Sequence, residues 1–109
     1  MKFKEYQEQA ATTALYPDRG NNLVYTVLGL SGEAGEVAGK VKKLIRDHGG
    51  VLTEDYRDML KKELGDVLWY VAMCCDELGL DLSDVAATNL SKLASRKQRG
   101  VLQGTGDAR

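Results

Sequence analysis

Apolar residues recur at helical spacing in four segments of the chain, which are separated by short stretches of turn-forming residues. The first segment runs from about Lys2 to Leu15 and ends at the turn sequence YPDRG. The second starts near Asn21 or Asn22, both of which are good N-caps. It ends at DHGG, where a glycine can adopt the left-handed conformation that stops a helix. These signals predict two helices in the first half.

The second half predicts two more helices and a glycine-rich tail. The third helix starts after Thr53 and ends near Gly79, and the fourth starts after Asp81 or Ser83 and runs to about Arg99. Runs of β-branched residues are missing, so strands are not expected. We therefore predict an all-α, four-helix bundle-like domain over residues 1–109, with residues 100–109 as its tail.

A short pattern occurs in both long helices. LSGEAGEV at 30–37 aligns with LKKELGDV at 60–67. At roughly 100° per residue, each helix shows an apolar stripe with a two-acid edge beside it. Internal duplication and the common periodicity of amphipathic helices both explain the match. The two stripes consist of Leu30, Ala34, Val37, Val41 and Ile45, and of Leu60, Leu64, Val67, Val71 and Cys75.

The acid edges are candidate metal ligands. Residues at i and i+3 are neighbours on a helix surface, which pairs Glu33 with Glu36 and Glu63 with Asp66. If the two helices pack antiparallel through their stripes, the four carboxylates meet at one rim and repel each other unless a cation joins them. Hard oxygen ligands suit Mg²⁺, and also Mn²⁺. The alternative is that the acids merely face solvent. A di-iron site is disfavoured because His48, the only histidine, belongs to a turn.

Glycines also cluster on the second helix, although each costs about 1 kcal/mol relative to alanine inside a helix. Gly32, Gly35 and Gly39 share a face away from the apolar stripe, and Gly29 lies between that face and the acids. Close approach of another backbone or a ligand would offset the cost. We therefore expect the second helix to pack on two sides, with Gly35 or Gly39 near a helix crossing in a dimer or larger homo-oligomer.

Composition narrows the function classes. The 109 residues include 15 basic and 16 acidic side chains, so the net charge of −1 gives no electrostatic footprint for nucleic acid or a membrane surface. No apolar stretch spans a bilayer, and the first ten residues lack a signal-peptide core. The adjacent Cys74 and Cys75 suit neither a disulfide framework nor zinc. These features predict a reduced, cytoplasmic protein.

At the acid edges the sequence resembles the MazG-like all-α nucleoside triphosphate pyrophosphohydrolases. That family carries Glu-Glu-x-x-Glu on one helix and Glu-x-x-Asp on the next. Here GEAGE supplies Gly32, Glu33 and Glu36, and ELGD supplies Glu63 and Asp66. The resemblance extends through EYQEQAATTALYP and NLSKLASRKQRGVLQGTGD, nearly the whole chain. Gly32 stands where the family has its first glutamate, which leaves the number of metal ions open.

The resemblance implies cleavage of a nucleoside triphosphate between the α and β phosphates, giving monophosphate and pyrophosphate. Magnesium held by the four acids would screen the phosphate charge and acidify and orient the attacking water, and any of the four is a candidate base. Lys92, one turn after Asn89, would reach the phosphates. Arg96 and Arg99 follow on the same face of this helix. They either bind the phosphates as well or form a solvated basic face. The candidate substrate-binding residues are Asn89, Lys92, Arg96, Arg99 and Lys40.

Base recognition is weakly specified, since core packing explains the nearby aromatic residues better than a base-binding wall does; these are Trp69, Tyr70, Tyr6 and Tyr16. Clearing unwanted nucleotides is the implied role. One rival is a relative acting on another triphosphate such as phosphoribosyl-ATP, and another is a non-catalytic helical assembly module. A further hypothesis is that the tail folds back over its own or a neighbour's nucleotide site as a lid that orders more fully when substrate binds. The alternative is a frayed terminus.

Overall fold

The computed structural model describes all residues 1–109 and contains four α-helices and no strands. The predicted all-α class is confirmed. None of the helices has both the length and the apolar character that crossing a bilayer requires. The helices are α1 (Phe3–Ala11), α2 (Leu23–His48), α3 (Glu54–Leu78) and α4 (Leu82–Gln98).

Local capping chemistry sets the ends of the two long helices. The Asn22 side chain accepts a hydrogen bond from the Tyr25 amide at 3.2 Å, and Thr53 caps α3 in the same way. Gly49 and Gly79 stop α2 and α3 with φ values of 61° and 66°. These four boundaries agree with the sequence prediction. In contrast, α1 ends well before the predicted Leu15, in a turn where threonine hydroxyls bond back to the last carbonyls of the helix.

The two long helices form an antiparallel hairpin with one continuous seam. Partly or fully buried positions recur at alternating steps of four and three residues, the spacing of a left-handed helix pair. Charged residues occupy some of these positions, so the acids lie in the seam and not only beside it. The seam positions are Thr26, Leu30, Glu33, Val37, Lys40 and Leu44 on α2, and Tyr56, Leu60, Glu63, Val67, Tyr70 and Cys74 on α3.

The small core lies where α1 and the start of α4 pack against the C-terminal half of α3. Gln7 ties the three elements together, because its amide donates to Asp76 at 2.8 Å and its carbonyl accepts from the Leu82 amide at 2.8 Å. The Trp69 indole donates to the Thr13 hydroxyl at 2.9 Å. The buried core residues are Ala10, Ala14, Tyr16, Ala72, Met73, Cys75 and Leu82.

The arrangement is more open than the predicted four-helix bundle. Helix α2 packs only on α3, and α4 contacts α1 and the end of α3 but not α2. Only 11 of 109 residues are buried, because the two short helices cover one end of the hairpin and leave the rest bare. Much of the predicted apolar stripe of α2 therefore faces solvent, as with Ile45, which is 66% exposed.

Candidate metal and nucleotide site

Three of the four predicted acids converge in the middle of the hairpin. Glu33, Glu63 and Asp66 each place one carboxylate oxygen within 4.8 Å of the others. Glu33 and Glu63 are half-buried in the seam, whereas Asp66 lies on its exposed edge. Magnesium holds oxygens at about 2.1 Å, so ligands on opposite sides lie about 4.2 Å apart. Small side-chain rotations would therefore bring all three oxygens onto one ion.

The electrostatics of the cluster are those of crowded acids. Partial burial raises the pKa of Glu33, and the charges of Asp66, Glu63 and Glu36 raise it further. A raised carboxyl pKa means that the ionised form is disfavoured where it stands. A divalent cation would reverse that balance, so the donor set fits a hard, oxygen-binding metal ion.

The fourth acid and the predicted Lys40 take different positions. Glu36 is exposed and lies outside the group of three oxygens, although it is near enough to affect Glu33. The Lys40 ammonium lies 3.5 Å from a carboxylate oxygen of Glu63. Lys40 therefore supplies a positive charge directly beside the cluster, as its position one turn past Glu36 suggested.

The ring of Tyr70 explains why residue 29 is a glycine. A Cβ atom on Gly29 would overlap the ring of Tyr70, so the ring packs directly on the α2 backbone. Gly29 precedes Glu33 by one turn and Tyr70 follows Asp66 by one turn, which places this contact at the end of the acid cluster. Burial raises the pKa of Tyr70, as do Tyr25 and the nearby acids. The neighbour of Gly29 is thus a side chain, whereas the sequence suggested a backbone or a ligand beside the glycines.

The other glycines of α2 have no neighbour within the chain. Cβ atoms added to Gly32, Gly35 and Gly39 would meet nothing within 4 Å. Among the other aromatic candidates, Tyr16 is buried in the core and Trp69 packs against it, as the core-packing interpretation predicts. Tyr6 is half-buried and also packs against the core.

Apart from Lys40 on α2, the predicted phosphate-binding residues lie on α4 or, for Arg99, at its C-cap. Asn89 and Lys92 line a shallow surface pocket of about 450 Å³. Arg96 is 6% exposed, and Arg99 donates to the Ser95 hydroxyl at 3.0 Å. Because α4 makes no contact with α2, one chain does not bring these residues to its own Glu33.

Lys92, Arg96 and Arg99 form a basic stripe whose partner was not predicted from the sequence. Lys92 and Arg96 both pair with Asp107 of the tail, at 2.9 and 3.0 Å. The only sequence signal was an acid following three glycines just after the basic helix, and such a signal does not reveal how the tail turns.

Two comparisons with known proteins found similar sequences. The sequence pattern of the family described as MazG nucleotide pyrophosphohydrolase domain matches residues 23–101, which include all the acids and the basic stripe. The chain is also similar to the Gene 37 protein of Mycobacterium phage L5, with 53% identity over 109 residues that cover 95% of this chain and 96% of that protein. No solved structure matches the chain.

Proposed function

Because the chain belongs to the MazG nucleotide pyrophosphohydrolase domain family, we propose that it hydrolyses nucleoside triphosphates between the α and β phosphates. The products are a nucleoside monophosphate and pyrophosphate. The observation that carries the proposal is the meeting of Glu33, Glu63 and Asp66 within 4.8 Å, in and beside the seam of the α2–α3 hairpin. Common or damaged nucleotides of the cytoplasmic pool are the proposed substrates.

The cluster supports a dependence on Mg²⁺, with Mn²⁺ as a substitute. The three converging oxygens would hold the ion, and Glu36 would complete the set after a change of side-chain rotamer. When bound, the metal supplies charge screening for the phosphates and lowers the pKa of the attacking water.

The chain's own groups supply the rest of the reaction. The oxygen of a water molecule attacks the α phosphorus. The bond between that phosphorus and the α–β bridging oxygen breaks, and pyrophosphate leaves with the bridging oxygen. A carboxylate of the cluster accepts the proton of the water. Lys40, held at 3.5 Å from Glu63, is placed to neutralise a phosphate oxygen beside the cluster.

The basic stripe of α4, together with Asn89, is proposed to bind the phosphates of a substrate held by the acids of a neighbouring subunit. Asn89, Lys92, Arg96 and Arg99 make no contact with the α2 acids of their own chain. A homodimer or homotetramer would join the two halves of the site, and the exposed apolar surface of the hairpin supports such an assembly.

A substrate panel tests the proposal. The purified protein is incubated with MgCl2 and each of the common ribo- and deoxyribonucleoside triphosphates, and monophosphate and pyrophosphate are quantified. Phosphoribosyl-ATP is included, because its selective hydrolysis would assign the chain to the related activity. Absence of pyrophosphate release from every substrate would favour a non-catalytic assembly module.

Two variants assign the activity to the cluster. Glu63→Gln and Glu36→Gln are expected to abolish pyrophosphate release while the helical circular dichroism is unchanged, since neither substitution alters the backbone or the size of the side chain. Glu8→Gln on the exposed face of α1 is the matched control and is expected to retain full activity. Normal turnover in both cluster variants would show that the acids do not form the active centre.

A further inference from the structure

The last residues of the chain form a closed loop against the end of α4. The guanidinium of Arg109 donates to the backbone carbonyls of Val101 at 3.0 Å, Leu102 at 2.8 Å and Gly106 at 2.8 Å. Arg99 in turn donates to the carbonyl of Arg109. This ring of hydrogen bonds gives the glycine-rich tail a defined shape and holds Asp107 over the basic stripe.

Two cations of α4 converge on one oxygen of that aspartate. The Lys92 ammonium lies 2.9 Å from Oδ1 of Asp107, and the Arg96 guanidinium lies 3.0 Å from the same atom. Arg96 also donates to the backbone carbonyl of Asp107 at 2.6 Å. Hydrogen bonds from Lys92 and Arg96 lower the pKa of Asp107, so its carboxylate is ionised at neutral pH.

The burial of the three groups is very unequal. The side chain of Arg96 is 7% exposed and that of Lys92 is 40% exposed, whereas that of Asp107 is 83% exposed. With the tail in place, Arg96 is therefore almost fully enclosed and Lys92 is partly exposed, and the anion lies on their solvent side. An exposed carboxylate contributes little binding free energy, and its single charge leaves one of the two cations unbalanced. A phosphate group carries more charge and more acceptor oxygens at the same position.

We propose that Asp107 is an internal competitor of the substrate, occupying the anion-binding position formed by Lys92 and Arg96 until a polyphosphate group displaces it. This proposal rests on the proposed function, which assigns both basic residues to the phosphates. The tail then acts in the opposite sense to the lid predicted from the sequence. It lies on the site when substrate is absent and is released when substrate binds.

A binding measurement that needs no turnover tests the competition. Inorganic tripolyphosphate is titrated calorimetrically into the full chain in EDTA, using wild type, Asp107→Asn and the control Asp58→Asn. Asp107→Asn keeps the side-chain shape and the backbone carbonyl that Arg96 contacts, so the fold is expected to be retained. It should bind tripolyphosphate roughly two- to fivefold more tightly than wild type, the range expected on removing an exposed ion pair. Asp58→Asn, an exposed acid of α3, should match wild type.

Hydrogen exchange gives the direction of the tail's response. In wild type, tripolyphosphate should reduce the protection of backbone amides in residues 100–109. Increased protection, or Asp107→Asn binding no more tightly than wild type, would overturn the proposal. Neither readout depends on hydrolysis. Displacement of the tail without pyrophosphate release would contradict only the proposed function. Hydrolysis by a protein whose Asp107→Asn variant binds tripolyphosphate with wild-type affinity would contradict only the competition.

Discussion

Glu77 shows how much of the fold depends on a single carboxylate. It lies near the end of α3 and accepts hydrogen bonds from the Tyr16 hydroxyl at 2.5 Å, the Gly20 amide at 2.9 Å and the Asn22 amide at 3.1 Å. These bonds fasten the loop between α1 and α2 to α3, immediately before the cap of α2. They lower the pKa of Glu77, with Tyr16 as the largest cause. The entry of α2 into the hairpin is therefore held by an ionised group.

Replacing Glu77 with glutamine should destabilise the protein in a pH-dependent way. Because the folded pKa lies below the ordinary value of 4.5, ionised Glu77 stabilises the fold above that pH. The contribution is lost as pH falls through the folded pKa. Glu77→Gln should thus lower the melting temperature by a few degrees at pH 7, and by much less near pH 3. Thermal unfolding at both pH values checks this, with Glu8→Gln as control. An equal deficit at both values would show that charge is not the cause.

Gly29 and Tyr70 form a contact in which backbone and ring leave no room for a methyl group. We expect Gly29→Ala to destabilise the fold by about 1–3 kcal/mol, because the ring must leave its position to admit the Cβ atom. Gly65→Ala on α3 is the matched control. Its Cβ meets nothing within 4 Å, so it should stabilise the helix by about 0.5–1 kcal/mol. Urea unfolding of both variants measures the difference, and equal changes in free energy would contradict the packing argument.

At the scale of elements, the α2–α3 seam combines a structural and a chemical role. Glu33, Lys40 and Glu63 stand at positions where a helix pair normally places apolar residues. The Lys40–Glu63 pair offsets part of the repulsion, at 3.5 Å. The remaining acids raise the pKa of Glu33, which means that they oppose its ionisation in the absence of metal. The hairpin therefore gives up some stability in order to hold the charges together.

If repulsion among the acids destabilises the metal-free hairpin, its melting temperature should depend on the metal. In EDTA, Glu33→Gln should melt at a higher temperature than wild type, because one of the mutually repelling charges is gone. Adding MgCl2 should raise the melting temperature of wild type but change that of Glu33→Gln little. Differential scanning fluorimetry with and without the metal makes the comparison, and Glu8→Gln should behave like wild type. Equal stabilisation of wild type and Glu33→Gln by Mg²⁺ would place the ion elsewhere.

The sequence predicted those features that depend on local chemistry. Helix ends follow from a side chain and the turn beside it, so Asn22, Thr53, Gly49 and Gly79 were correctly located. The meeting of the two acid edges followed from helical periodicity plus one assumption, antiparallel packing, although only Glu33, Glu63 and Asp66 converge and Glu36 does not. The helical projection of the sequence placed the acids beside the seam, because such a projection separates apolar from polar residues. Which positions face the partner helix is decided by both helices together, and that information is not local.

The position of the tail and the open arrangement of the helices were not predicted for the same reason: both depend on contacts that local sequence patterns do not show. Asp107 reaches Lys92 because Arg109 bonds to three carbonyls of the same loop, a combination that spacing along the chain does not reveal. Likewise, four amphipathic helices suggest a closed bundle. The chain instead places α4 on α1 and the end of α3, where Gln7 bonds to the amide of Leu82.

At the scale of the whole molecule, the chain exposes more surface than a compact monomer would. Its accessible area is 7882 Å², whereas a folded monomer of this mass exposes about 5,900 Å². Its radius of gyration is 16.8 Å, against about 13 Å for a compact domain of this length. The exposed side chains include a row along one side of the hairpin, made of Val27, Val41, Ile45, Leu64 and Leu68. An excess of about 2,000 Å² per chain is of the size that obligate subunit interfaces cover.

We therefore expect a dimer or tetramer by light scattering at micromolar concentration, with this apolar row at a subunit interface. Leu64→Glu should lower the assembly mass, because burying an unpaired carboxylate in such an interface costs several kcal/mol. Leu15→Glu is the matched control: Leu15 is 92% exposed in a loop outside the row, and its variant should keep the wild-type mass. Pyrophosphate release should fall together with the mass in Leu64→Glu, since a lone chain does not bring the cations of α4 to its own α2 acids. A monomeric wild type would contradict the assembly, and an active monomeric Leu64→Glu would show that one chain carries a complete site.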